Sequence, residues 1–343
     1  MKKSIPKSYS ISCCRIDEMD DLKNFIRNNW REDHILVESE DLLKWQHADV
    51  NRLNFIIARE NKSQIILGIF GYVPTSKFDT KLKNNRDTWG AIWKVVDNSP
   101  FGLGMDIMQF FHNEIKPVSH GSIGNSDIAQ KLYKLTGQKT GVMSQYYILS
   151  DSITEFKIAI KGSNINPSQK PDMDDLREVI LDNISLTHSY YPKKSLTYLI
   201  NRYQKHPIYK YRFFGVYKES TLYAIFVIRK QFVRKEACLR IVDVYGDISN
   251  AGRINFSMQK LLREEGAEYI DCLNYGVAES VFKNMGFQTL DYNSDIVIPD
   301  YFEPFERQNI QTNFAVKSQL DEYVIFKGDG DRDRPSILNF NST

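Results

Sequence analysis

Two stretches of this chain read as copies of one another. Asn125-Ser126-Asp127-Ile128-Ala129-Gln130-Lys131-Leu132-Tyr133-Lys134-Leu135-Thr136-Gly137 aligns without a gap on Asn274-Tyr275-Gly276-Val277-Ala278-Glu279-Ser280-Val281-Phe282-Lys283-Asn284-Met285-Gly286. Asn, Ala, Lys and Gly recur at an offset of about 149 residues, with Tyr133 opposite Phe282. A strand-like stretch precedes each block, Val118 to Ile123 in one and Tyr269 to Leu273 in the other. Further upstream, Leu53 to Arg59 and Gln64 to Val73 predict a hairpin around Asn61-Lys62-Ser63, and Arg212 to Tyr217 with Thr221 to Arg229 predict its counterpart. A period this long implies a duplicated domain rather than a solenoid.

The order of elements fixes the fold class. In the first half Met19, Leu22, Phe25 and Ile26 recur at helical spacing behind Asp17, a candidate cap. After the hairpin come a strand over Trp89 to Val96, a turn, and an apolar helix from Met105 to about Phe111. The strand Val118 to Ile123, a helix over Ile128 to Leu135 ending at Gly137, and a last strand, Val142 to Leu149, then close the unit. The expectation is an α+β fold: two similar domains in tandem, each a mixed, mostly antiparallel sheet flanked by helices. The boundaries read 1–160, a polar, turn-rich linker over 161–175, and 176–343.

Composition narrows the function classes. The 343 residues carry 45 Lys plus Arg against 43 Asp plus Glu, a formal net charge of +2. Such a balance does not serve a long run of phosphates, so no nucleic-acid partner is expected, although local basic pockets remain open. No apolar run approaches a membrane span, and the basic N-terminus has no apolar stretch behind it, so the chain reads as cytoplasmic and not membrane-inserted. Cys13 and Cys14 are vicinal, Cys238 and Cys272 are far apart, and six His are scattered, so no metal-ligand spacing exists. The 19 Tyr and 20 Phe fit either a heavy core or a ring-stacking surface. The chain reads as a monomer or a homo-oligomer.

Chemistry concentrates at the turn Asp97-Asn98-Ser99-Pro100-Phe101-Gly102-Leu103-Gly104. Gly102 and Gly104 let a ligand approach the backbone, and the amides of Leu103, Gly104 and Met105 open a helix whose positive end suits a pyrophosphate.

Together with Asn125, Ala129, Tyr133 and Gly137, this pattern resembles the GNAT acyltransferase superfamily, over roughly Asn54 to Leu149 with a weaker echo in the second half. More specifically, the chain resembles tandem-domain N-acyltransferases that acylate amines on nucleotide-linked deoxysugars, the anthrose-pathway type among them. The supporting strings include Ile92-Trp93-Lys94-Val95, Asn201-Arg202-Tyr203-Gln204-Lys205-His206-Pro207, Tyr301-Phe302-Glu303-Pro304-Phe305 and Asp329-Gly330-Asp331-Arg332-Asp333-Arg334-Pro335. The resemblance implies coenzyme A as carrier of an acyl group, 3-hydroxybutyryl or similar. The acceptor it implies is a nucleotide-linked amino sugar such as dTDP-4-amino-4,6-dideoxyglucose. It also implies coenzyme contacts from Val95, Val96, Gly102, Leu103, Gly104, Met105, Asn125 and Tyr133.

Ser99 stands where the superfamily loop usually begins with Gln or Arg. In the second half, Asp243-Val244-Tyr245-Gly246-Asp247 lacks the paired glycines and carries two carboxylates, so that copy is expected to serve the acceptor.

Candidate catalytic groups are the Val95 and Val96 amides as oxyanion donors, Tyr133 as proton donor or as a core residue, and Asp97 and His34 as bases. Asp97 reads equally as a helix cap, and His47 is a further candidate. For the acceptor, Arg202, Arg240, Arg332 and Arg334, with Lys193 and Lys194, offer donors to a diphosphate, unless they pair with neighbouring carboxylates. Tyr203, Tyr209, Tyr301 and Phe302 are candidate stacking rings, and Trp93, Lys94, His206 and Glu303 join the set through the resemblance. Two other readings stay open: a tandem-GNAT peptidyltransferase using aminoacyl-tRNA, and a non-catalytic nucleotide-sugar-binding module.

Overall fold

The computed structural model describes residues 7–162, 171–182, 184–318 and 323–336. The first half contributes β1 (Tyr9–Arg15), α1 (Met19–Asn29), α2 (Ile35–Glu38), α3 (Glu40–His47), β2 (Arg52–Glu60), β3 (Ile66–Pro74) and β4 (Asp87–Val95). It continues with α4 (Leu103–Ile115), β5 (Ser119–Ile123), α5 (Asp127–Leu135), β6 (Lys139–Val142) and β7 (Ser144–Leu149). The second half contributes β8 (Asp175–Glu178), α6 (Leu196–Leu199), β9 (Tyr211–Lys218), β10 (Thr221–Val233), β11 (Glu236–Gly246) and α7 (Asn255–Glu265). It ends with β12 (Ala267–Tyr275), α8 (Glu279–Met285), β13 (Gln288–Thr289), β14 (Asn313–Ser318) and β15 (Ile325–Phe326).

Both hairpins form where expected, β2 with β3 and β9 with β10. Helix α1 buries the expected Met19, Leu22, Phe25 and Ile26. Asp17 does not cap it; its carboxylate pairs with Arg15 instead. Ser126 caps α5 by accepting from the Ala129 amide at 3.3 Å, and Gly137 and Gly286 take the left-handed conformation (φ +77° and +106°) that ends the two matching helices.

Two sheets run in the orders β1-β2-β3-β4-β5-β14-β6 and β8-β9-β10-β11-β12-β7-β13, with β15 added against β12. Position by position these orders are equivalent, which is the duplication made visible. The strand expected to close the first unit closes the second: β7 lies antiparallel to β12, from Tyr269↔Leu149 to Asn274↔Ser144. In return β14 lies between β5 and β6. The cause is local. Only Met143 separates β6 from β7, too little chain for the two-residue turn that would fold one back on the other.

Tyr146 of β7 stacks on Phe282 of α8 at 3.8 Å, so that exchanged strand is held by a ring of the other half. Tyr275 of β12 packs on Phe314 of β14 at 4.1 Å, tying β14 back to its own half. One apolar cluster, including Trp89, Ile123, Tyr198, Tyr203, Val242 and Tyr323, fills the space between the sheets. Of the expected linker, residues 163–170 lie outside the described residues.

Candidate active site

Strand β4 carries the decisive irregularity. Phe70 pairs with Trp93 and Tyr72 with Gly90, so Ala91 and Ile92 together oppose Gly71 alone, a β-bulge. On its other edge β4 runs parallel to β5 from Asp87↔Ser119 to Gly90↔Ser122, and there the pairing stops. The two strands part and leave the rest of β4 without a paired strand on that side among the described residues. The Val96 amide donates to the Leu67 carbonyl at 2.9 Å, so Val96 is not the free donor expected of it. Alternation along the strand turns the Val95 amide to the open edge.

The turn after β4 delivers the chain to α4. Gly102 lies in the left-handed region (φ +81°), and a Cβ there would meet nothing within 4 Å. The Leu103 amide donates to the Pro100 carbonyl and the Asp106 amide to Gly102, so Leu103 is not a free donor. The Gly104 and Met105 amides have no protein acceptor among the described residues and form the open start of the helix. Asp106, in the first turn, is held by Lys7 at 2.6 Å and by the Tyr9 hydroxyl.

Trp93 packs its indole 3.6 Å from a Cβ built on Gly104 and 5.6 Å, between ring centroids, from Tyr133. Trp93 therefore belongs to the helix-start side and not to the acceptor-facing set. Tyr133 is only 2% exposed, and burial pushes its phenol up to about 12, so it stays protonated at neutral pH. Asn125 is fixed at the end of β5, accepting from the Ser122 hydroxyl at 2.5 Å and donating to the Ser122 carbonyl.

Between the halves lies a cavity of about 300 Å³. Ala91 from the bulge and Ile123 and Gly124 from the end of β5 form one wall, and the second half supplies the other. Of the sequence-derived acceptor residues, Arg240, Tyr301, Phe302, Glu303 and Arg334 all line it, as does His34. Arg240 forms a fork with Asp271 (3.0 and 2.6 Å), reaches Asp300 at 2.7 Å, and lies over the Phe302 ring. Asp300 also receives Lys327 and, at 3.0 Å, Arg332. Burial works to raise the Asp300 carboxyl, but Lys327, Arg240 and Arg332 outweigh it and hold Asp300 well below the usual carboxylate range. Glu303 accepts from the Tyr209 hydroxyl at 3.2 Å and the Ser336 amide at 2.5 Å.

Other expected residues stand elsewhere. Arg202 is buried beneath the cavity, donating to the Gly328 and Gly330 carbonyls and lying 4.8 Å from the Phe78 ring, so it has no fork to offer a diphosphate. Tyr203 is buried with its hydroxyl on Asp243, and His206 accepts from the Ile208 and Tyr209 amides with its edge against Trp45. Neither ring is free to stack. Lys194 is enclosed by Asp243 and Asp329, each at 2.5 Å.

Asp97 caps nothing: its side chain is 94% exposed and pairs with Lys94 at 3.4 Å, which leaves both outside the cavity. His34 accepts from the Leu36 amide at Nδ1, and Arg334 lies 3.1 Å from its Nε2. Burial, then Arg334 and Arg31, push its pKa down to about 2, so it cannot take a proton at neutral pH. His47 is buried, with Nδ1 facing the Tyr72 carbonyl at 3.2 Å.

Charged cavity residues that escaped the sequence reading include Asp300, Lys327, Arg31 and Arg229. Asp300 adjoins, and Lys327 lies two residues before, a string singled out above, and that closeness was their only signal. Among the described residues no group of three or more His, Cys, Asp or Glu is placed to hold a metal ion, and no helix is long and apolar enough to cross a membrane.

No protein-family model matches this chain, and no curated protein matches it. Solved structures do. A GCN5-related N-acetyltransferase from Anabaena variabilis is similar over 90% of this chain and 72% of its own, at 13% identity and a TM-score of 0.50. A conserved protein of unknown function and probable N-acyltransferase from Enterococcus faecalis is similar over 91% of this chain and 73% of its own, at 8% identity and a TM-score of 0.51. These likenesses span both halves. The chain has the GCN5-related N-acetyltransferase (GNAT) fold, present twice and joined by the exchanged strands β7 and β14.

Proposed function

We propose that this protein is an acyl-CoA-dependent N-acyltransferase whose acceptor is the amino group of a nucleotide-linked amino deoxysugar. The observation that carries the reading is the parting of β4 from β5 beyond Gly90 and Ser122, directly beside a cavity lined by arginines. Coenzyme A fits the first half: the open space around Gly102 and the free Gly104 and Met105 amides suit its pyrophosphate, and the unpaired edge of β4 suits an extended pantetheine. Bound acyl-CoA supplies the thioester that the amine attacks.

The protein's part is orientation and charge. The Val95 amide stabilises the developing oxyanion. As the C–N bond forms the C–S bond breaks, and the sulfur leaves as the thiol with a proton given by Tyr133, which is protonated at neutral pH. The proton shed by the amine nitrogen restores Tyr133. The cavity holds an anionic acceptor with its amine toward the mouth of the splay. Asp97 and His34 take no part as bases, and a sugar amine is basic only moderately above neutrality, so a useful fraction is already free. A near-neutral chain with one local cluster of cations suits a small diphosphate better than a long nucleic acid.

The test is release of free thiol from acetyl- or 3-hydroxybutyryl-CoA with a panel of dTDP- and UDP-linked amino sugars. Turnover with at least one pair is expected. No turnover with any pair, together with no thermal shift on adding coenzyme A, overturns the reading.

A further inference from the structure

The second half has a splay of its own, and the chain fills it. Strands β11 and β12 run parallel from Ala237↔Ala267 to Ile241↔Cys272 and then part. Strand β15 lies in the gap. It pairs with β12 through Asn274↔Phe326 and Tyr275↔Ile325, and the Gly328 amide donates to the Val242 carbonyl of β11 at 2.7 Å. Asn274, the repeat counterpart of Asn125, donates its side-chain amide to the Ile325 carbonyl at 3.0 Å. Asp329 accepts from the Phe326 amide at 2.7 Å and pairs with Lys194, while Arg202 holds the carbonyls of Gly328 and Gly330. A peptide segment thus occupies the place where the first half leaves room for a coenzyme.

From this anchor the chain runs into the cavity between the halves. Arg332 passes over Gly124 at the end of β5, with its Cδ 3.2 Å from a Cβ built there. Its carboxylate partner, Asp300, is shared with Arg240 and Lys327, and Arg240 also holds Asp271, so three cations meet two carboxylates. The Arg332 Nε is buried and has no hydrogen-bond partner among the described residues. Arg334 pairs with Asp331 at 3.2 Å, and its other neighbour, His34, is neutral and offers no counter-charge. Both arginines keep part of their side chains open, 21% and 16%.

We propose that Arg332 and Arg334 form the phosphate-recognition site for the acceptor, held in position by β15 wedged into the second half's cleft. The assignment to the acceptor rests on the acyltransferase reading; the phosphate chemistry does not. Coenzyme A also carries phosphates, so the test separates the two sources. Calorimetric binding of dTDP, UDP and coenzyme A is compared in wild type, Arg332→Gln, Arg334→Gln and Arg332→Lys.

Removing either fork is expected to weaken dTDP or UDP binding by about ten-fold or more, with coenzyme A affinity unchanged. Arg332→Lys keeps the charge and loses less. Nucleotide affinity unchanged in both Gln variants, loss confined to coenzyme A, or no binding of dTDP or UDP by the wild type overturns the proposal. Nucleotide binding that needs the arginines in a protein that takes no coenzyme A upholds this site and removes the acyltransferase reading. Should Arg332→Gln fail to fold, Arg334→Gln decides the question by itself, because its carboxylate partner, Asp331, pairs with no other cation among the described residues.

Discussion

The Tyr203 hydroxyl lies 3.2 Å from the Gly328 carbonyl, and a Cβ added to Gly328 would come within 2.6 Å of that same hydroxyl oxygen. The Val242 carbonyl would stand only 2.9 Å away on the other side. Neither neighbour can retreat, since Tyr203 is tied to Asp243 and Val242 belongs to a central strand. Gly328→Ala should therefore destabilise the protein by about 1–3 kcal/mol through overpacking, read as a lower urea midpoint. An unchanged midpoint would show that the anchor yields easily.

Arg240 tests the buried ion network. Among the described residues Arg240→Met leaves Asp271 with only the Gln145 side-chain amide, inside a site where the Asp271 and Asp300 carboxylates are almost wholly enclosed. Orphaning a buried charge costs about 3–5 kcal/mol, whereas removing both partners costs much less. Arg240→Met with Asp271→Leu should recover most of the loss in denaturant titrations. Equal losses in the single and double variants would contradict this account.

Lys327 gives the stability a pH dependence of defined sign. Burial, then Arg240, lower its pKa to about 8 from an ordinary 10.5, against the pull of Asp300. Between about pH 8 and 10.5 the unfolded chain holds a proton that the folded chain has released, so this group's contribution to stability rises with pH in that window. Below pH 8 both states carry the proton and the burial cost persists. Asp300 has the opposite placement: its depressed carboxyl stabilises the fold above the ordinary carboxylate range, and that contribution disappears in acid. Lys327→Met should flatten the alkaline rise in urea midpoints between pH 8 and 10.5.

Gly102→Val separates loop chemistry from fold stability. No atom lies within 4 Å of an added Cβ, so the cost expected is that of the left-handed backbone, about 1–2 kcal/mol. The fold should survive while the side chain obstructs the approach to the Gly104 and Met105 amides. Coenzyme A affinity measured by thermal shift should disappear. Retained affinity would mean that phosphate is held somewhere else.

Where the sequence spoke clearly, it did so through local geometry. Asn125 and Asn274, with Gly137 and Gly286, exposed the duplication because a strand end and a helix end each demand a particular residue type at a fixed spacing. The tight turn at Gly102 into α4 was legible for the same reason, since Gly102 takes the left-handed conformation just before the helix begins at Leu103. The exchange of β7 and β14 was not, since a strand's alternation is identical whichever sheet receives it. Arg202 and Tyr203 were misplaced because their partner, Gly328, lies far along the chain, and nothing near them in sequence announces burial. Asp300 was missed because its three cations come from two distant segments, Arg240 on β11 and Lys327 with Arg332 after β15.

The strand exchange also orders events during synthesis. The β5 edge of the first sheet is completed by β14, in pairs such as Ser119↔Ser318 and Ile123↔Phe314. A ribosome that has already released residues 1–160 leaves that edge bare until Asn313–Ser318 emerges, and β7 waits likewise for β12. Bare edges of this kind template pairing with other chains. Contacts of such sequence separation also close slowly. The nascent first half is thus the stage at which this protein is most exposed to misassembly, and where a chaperone that shields strand edges would matter most.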